Sequence, residues 1–321
     1  MSVTFSGAFT FSGGGFTATL APPVGPTAGW VGGGWTASPL TVVSSVERIT
    51  YATDTATASV RGPLSSARYS LAATGNSTNG WFGGGYSGPG ARSTVDRIDY
   101  ANDTETASLR GPLSLARRYL AATGNSTNGW FGGGGTPAVV STVDRITYAT
   151  DTATASVRGP LSIAMARLAA AGNTTDGWFG GGYGSPAPNK RSSVQRITYA
   201  TDTATASGRS PLSSARYMLA ATGNTTYGWF GGGEFPGVST VDRITYANDT
   251  ETASVRGPLN SVRYGLAAAG NSTDGYFGGG GPGVLSTVER ITYATDTATA
   301  NVRGPLSLAR YQLAAASNTS L

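Results

Sequence analysis

Apolar residues in this chain come in short bursts separated by segments rich in Gly, Asn, Ser, Thr and Asp. Across residues 68–114, an apolar run at 69–74 ends in Gly75-Asn76-Ser77-Thr78-Asn79-Gly80, which has strong turn chemistry. Trp81-Phe82-Gly83-Gly84-Gly85 predicts a second strand, with glycines that permit close backbone approach. After a loop, residues 95–100 (Val-Asp-Arg-Ile-Asp-Tyr) alternate as a third strand, and Asn102-Asp103-Thr104 turns it. Residues 106–110 make a fourth strand, which Gly111-Pro112-Leu113 ends because proline cannot donate to a central ladder. The unit is a four-stranded antiparallel sheet.

The same phrase occurs six times. Its V-[DEQ]-R-I-x-Y-A-[TN]-D-T block begins at Val46, Val95, Val143, Val194, Val241 and Val288, at spacings of 49, 48, 51, 47 and 47 residues. A period near fifty predicts an all-β, six-bladed β-propeller of four-stranded antiparallel blades. The last repeat stops without its G-W-F-G-G-G strand, and Gly29-Trp30-Val31-Gly32-Gly33-Gly34 supplies one that has no first strand before it. Joining the two closes the ring by sharing strands between the N- and C-termini, which removes exposed sheet edges. The competing count is five full blades with frayed ends. The expected division is an N-terminal β arm at 1–28 and the propeller at 29–321.

Composition narrows the chemistry. The 321 residues contain no Cys and no His, so thiolate nucleophiles, disulfides, imidazole bases and Cys or His metal ligands are absent. No cofactor and no metal site are expected, and the Asp-Thr turns lack the spacing of a calcium loop. The net charge of +5 raises nucleic acid as a partner. However, 17 of the 22 basic residues fall in three repeated Arg columns, beside eleven repeated acids. That distribution reads as an ion-pair network between strands and blades, with no nucleic-acid partner. No run approaches the roughly 20 apolar residues of a membrane span, so no membrane insertion is expected. The N-terminus lacks the basic region of a signal peptide. The non-repeating acids (Asp99, Glu105, Asp176, Glu234, Glu251 and Asp274) show no pairing suited to glycoside hydrolysis, and the chain reads as non-enzymatic. The eight N-x-S/T sequons, at Asn76, Asn102, Asn125, Asn173, Asn224, Asn248, Asn271 and Asn318, read as turn chemistry.

The order of an Arg, an apolar strand, a turn, an apolar-Gly-Gly strand, a variable loop, V-x-R-I-x-Y, an Asp-Thr turn and Pro-Leu resembles the kelch repeat over residues 29–317. The Trp that usually follows the Thr turn in kelch is replaced by Ala or Thr. The wording VDRITYATDTATASVRGPLS, with GWFGGG, further resembles kelch-like virion proteins of marine bacteriophages. That resemblance implies a structural or attachment protein of a virus particle (tail, fibre or capsid decoration) or other extracellular assembly. Its partners would then be other virion or assembly subunits, and its location virion or extracellular. The alternative is a glycan- or receptor-binding propeller without a structural role.

Where the phrase varies is where specificity is expected. The loops after the triple glycines and the crossovers into each first strand lie on one face of an antiparallel blade, around the mouth of the channel. The candidate binding residues there are Trp35, Tyr69, Tyr86, Arg92, Arg118, Tyr119, Arg167, Tyr183, Lys190, Arg191, Tyr217, Phe235, Tyr264 and Tyr311. One repeat loses its column Arg, with Met165 in its place and Arg167 two residues on. In the arm, Val3, Phe5, Phe9 and Phe11 alternate with small or polar residues, and residues 16–20, beginning at Phe16, suit a partner strand. Its apolar face is expected to dock on other copies, making a homo-oligomer, or on a larger particle.

Overall fold

The computed structural model describes residues 27–37, 40–184, 189–234 and 237–318. Six four-stranded antiparallel sheets form the blades of a closed propeller. Blade 2 runs outward from the axis as Ala72–Gly75, Asn79–Gly83, Val95–Asp99 and Ser108–Arg110. Blades 3, 4, 5 and 6 repeat this with inner strands Ala121–Gly124, Ala169–Gly172, Ala220–Gly223 and Ala267–Gly270. Blade 1 is composite: Ala314–Ser317 pairs antiparallel with Ala28–Gly32, which pairs with Val46–Thr50 and then Ser59–Arg61. Each inner strand packs on those of both neighbours, so the ring closes around a central channel.

Closure also rebuilds a local motif. In blade 2, Asn76 Oδ1 accepts from Thr78 N at 3.0 Å and from Asn79 N at 2.9 Å. In blade 1, Asn318 Oδ1 accepts from Thr27 N at 2.9 Å and Ala28 N at 3.1 Å, so the same turn is made from residues 290 positions apart. The Asn of the sequons thus serves turn chemistry as expected.

The strands are shorter than the sequence suggests, for stated reasons. Gly84 and Gly85 leave the second strand at φ 69° and 105°, where a Cβ on Gly84 would lie 2.7 Å from the Arg117 carbonyl of the next blade. Tyr100 leaves the third strand to open a 3-10 turn at Tyr100–Asn102. Alternation along that strand is also more demanding than a half-buried sheet requires. Val95, Asp96 and Ile98 are all buried, because both faces of every blade are covered. Val95 packs toward blade 3 and Ile98 toward blade 1, so the apolar cores lie between blades. The neighbouring Trp81 and Phe82 divide in the same way.

Two separate ionic systems use the Arg and Asp columns. The first is fully buried within each blade: Arg68 meets Asp96 at 2.7 Å and Arg216 meets Asp242 at 2.8 Å, with side chains at most 1% exposed. Arg117–Asp144, Arg263–Glu289 and Arg310–Glu47 are equivalent. Burial draws the Arg117, Arg216, Arg263 and Arg310 guanidiniums below their usual range, opposed by the facing carboxylates. In blade 4 both partners change together. Met165 stands for the Arg and Gln195 for the acid; Gln195 accepts from Ser162 Oγ at 2.7 Å and Ile163 N at 2.9 Å. A buried charge without its partner is costly, which explains why the two are lost as a pair.

The second system clasps neighbouring blades at their lower edge. Asp151 of blade 3 accepts from Trp81 Nε1 of blade 2 at 2.8 Å, with Arg97 Nη1 and Arg110 Nε of blade 2 at 3.1 and 3.4 Å. Tyr148 of blade 3 stacks on the same Trp81 at 3.8 Å. Asp103, Asp202, Asp249 and Asp296 repeat the clasp with Trp30, Trp130, Trp178 and Trp229. Asp54 closes the ring on Tyr276 and Arg290 of blade 6. The ion-pair network expected from the columns is therefore present, with one system inside blades and one between them.

Candidate binding face

The loops after the triple glycines and the crossovers meet at one end, here called the upper face. Each crossover bridges to the loop of its own blade, as at Trp35 with Tyr311, Tyr69 with Tyr86, Arg118 with Gly135 and Tyr264 with Gly281. At the axis the crossovers build a feature that no single repeat announces. Tyr119 N donates to Ser70 O, Arg167 N to Tyr119 O, Met218 N to Arg167 O, Gly265 N to Met218 O, Gln312 N to Gly265 O and Ser70 N to Gln312 O, at 2.7–2.8 Å. These bonds form a closed ring joining all six blades at the throat.

Every ring residue is left-handed, with φ between 54° and 64°, although only Gly265 is a glycine. L-residues at this φ carry about 1–2 kcal/mol of strain each. Observed strain of this kind concentrates at functional sites. The backbone is sixfold, yet the side chains are Ser, Tyr, Arg, Met, Gly and Gln.

Around this ring the upper face has two unlike halves. Over blades 5, 6 and 1, Trp35, Tyr217, Met218, Tyr264, Val284 and Tyr311 line an open depression of about 570 Å³, with Arg167 at its edge. Trp35 meets Tyr311 edge-on at 5.0 Å, and Tyr264 meets Tyr311 at 5.4 Å. Tyr311 also donates to Met218 Sδ at 3.0 Å. Burial pushes the Tyr311 phenol up to about 12. A second hollow of about 390 Å³ lies on the other side of Trp35, bordered by Leu40, Val42, Tyr69, Tyr119 and Gln312. Burial raises the Tyr69 phenol above its ordinary range.

Over blades 2, 3 and 4 the character is cationic. Arg118 lies over the Tyr86 ring at 4.5 Å and the Tyr119 ring at 5.2 Å. Arg167 lies over Tyr119 at 4.6 Å and Tyr217 at 5.6 Å. Among the described residues neither guanidinium forms an ion pair with a carboxylate. Arg92 donates to Ser87 Oγ at 2.6 Å, and Arg191 is half-buried in the blade 4 loop. Lys190 is ion-paired with Glu234, which raises its ammonium above the usual range. Tyr183 is exposed and meets Tyr217 edge-on at 5.9 Å.

The structure thus gathers thirteen of the fourteen candidate residues on one face. Phe235, and the arm residues Val3, Phe5, Phe9, Phe11 and Phe16, lie outside the described residues. Ser70, Met218, Gly265 and Gln312, variable crossover positions in the sequence but not among its candidate binding residues, complete the ring. Their signal was a single column of unrelated residues immediately before a constant Leu.

The fold defines a six-bladed β-propeller, and the comparisons agree at that level. A solved structure of YjhT superposes with a TM-score of 0.63, covering 79% of this chain and 88% of that chain at 12% identity. At that identity the likeness is one of fold. No family model matches the chain, and no curated protein matches it.

Proposed function

We propose that the protein is a non-enzymatic structural or attachment protein of a virus particle or extracellular assembly, which presents its upper face to a ligand. The observation that carries this is that the loops diverging in both sequence and length gather on one face, over a scaffold whose Arg and acid columns are paired with each other. Glu234 is the only acid in the upper loops and crossovers. It is tied to Lys190. A second carboxylate for acid–base work on a glycosidic bond is therefore missing where a ligand would sit. The kelch-like wording and its resemblance to marine phage virion proteins support the particle location, and the apolar alternation of residues 3–11 supports assembly through the arm. Immunogold imaging of the producing organism's virus particles tests it: labelled propellers at fixed positions are expected. A protein found only free in solution would overturn the structural role.

The second reading, a glycan- or receptor-binding module without a structural role, is favoured by the aromatic depression around Trp35. It would stand if the isolated propeller bound its ligand and no particle carried the protein.

A further inference from the structure

Five basic residues, Arg92, Arg118, Arg167, Lys190 and Arg191, fall outside the repeated Arg columns, and all five lie in the upper loops or crossovers. One acid, Glu234, accompanies them, in a chain of net charge +5. Elsewhere cations and carboxylates are nearly balanced, and the column arginines are bound in the buried pairs and the clasps. Nearly all the excess positive charge therefore belongs to the face that also carries the aromatic depression.

Arg167 joins the two halves. Its backbone is fixed in the throat ring by hydrogen bonds to Tyr119 and Met218. Its guanidinium rests against the Tyr119 and Tyr217 rings and borders the depression. The partnered Arg of this repeat is gone, since Met165 and Gln195 hold that buried site without charge. The Arg167 guanidinium borders the depression instead, and among the described residues no carboxylate pairs with it.

We infer that the upper face binds an anionic saccharide, with a sugar ring against Trp35, Tyr264 and Tyr311 and its acidic group on Arg167. This rests on the ligand-presenting face proposed above and names the chemistry of its ligand. Flat aromatic faces suit the C–H faces of a pyranose. A stacked guanidinium takes a carboxylate or sulfate through paired N–H donors. A volume of about 570 Å³ is within the range of small-ligand sites.

Trp35 gives the readout. The other five tryptophans are buried between blades, so Trp35 is the one indole at the face. Titration of the full chain with an oligogalacturonate, and separately with a sulfated galactan oligosaccharide, should change Trp35 fluorescence for at least one. The methyl-esterified, neutral form of that carboxylated probe should bind at least about tenfold more weakly. Binding should weaken as salt rises from about 0.1 M to about 1 M. Arg167→Gln should lose about tenfold in affinity. Its fold should be kept, because Gln312 already occupies the same ring position in blade 1. Should that variant fail to melt like the parent, Arg167→Gly repeats the test with the residue found at Gly265.

Failure of both acidic saccharides to bind would overturn the inference. So would equal binding of the ester, or affinity unmoved by either Arg167 variant; those results leave a glycan-binding face standing. Polyglutamate bound as tightly as the saccharides would overturn the sugar assignment. Whether the protein sits on a particle is read separately by imaging.

Discussion

At the lower edge of each blade, an Asp holds the neighbouring blade by two arginines and, at five of six clasps, a Trp indole. At the throat above, six residues share one left-handed backbone conformation and one hydrogen-bonding ring, while their side chains differ in kind. Both features join blade to blade, and both repeat six times. In the clasp the side chains themselves make the joint, so each is constrained. In the ring the backbone makes the joint; Ser70 Oγ, donating to Gln312 Oε1 at 2.6 Å, adds one side-chain hydrogen bond beside it, and the other side chains are left to meet something else. The difference separates parts that hold the molecule together from parts that are available for recognition.

Alkaline titration should strike the clasp side hardest. Burial raises the Tyr51, Tyr100, Tyr148, Tyr199, Tyr246 and Tyr293 phenols above their ordinary value of 10. Above pH 10 the unfolded chain releases these protons while the folded chain keeps them, so stability falls as pH rises. Below pH 10 both states hold the protons and the contribution is complete. The melting temperature should be level from pH 7 to about 9 and drop steeply above 10, with tyrosinate absorbance from these residues appearing only on unfolding. Their ionisation at pH 10 in the folded protein would mean the stacks are open.

The buried pairs come next. Arg117→Met alone leaves Asp144 charged and buried, and should cost about 3–5 kcal/mol in a denaturant melt. Adding Asp144→Gln copies blade 4 and should restore stability to within about 1 kcal/mol of the parent. A double variant no better than the single would show that blade 4 tolerates Met165 and Gln195 for some other reason.

Within one clasp the effects should be unequal. Asp151→Ala strands the Trp81 indole and two guanidiniums, at a cost of about 3 kcal/mol. Arg97→Ala removes a side chain that is 29% exposed and leaves Asp151 with two partners, so about 1 kcal/mol or less is expected. Equal losses would contradict a clasp centred on the carboxylate.

Much of this organisation was legible in the chain. Strand order, blade count and closure follow from the repeated phrase, because turn and strand chemistry are local and recur at fixed spacing. That arginines and acids pair was also readable. Which pairs with which was not: Asp96 and Arg97 are adjacent in sequence but point to opposite sides of a blade, into different ionic systems. The Gln in the V-[DEQ]-R block and the missing Arg at Met165 are 30 residues apart, and only the sheet places them together. The throat ring was hidden for another reason. A left-handed backbone usually advertises itself with Gly or Asn, and five of six ring positions use neither. Variation at that column was visible, but the backbone constraint beneath it was not.

The most direct test replaces Ser70, Tyr119, Arg167, Met218 and Gln312 together by Gly, as at Gly265, and measures thermal stability and oligogalacturonate or sulfated-galactan binding on the same sample. If side chains at the throat serve recognition while the backbone serves the scaffold, the ring-glycine chain melts close to the parent and no longer binds. A chain that unfolds, or one that binds as the parent does, would contradict the separation of scaffold from recognition face.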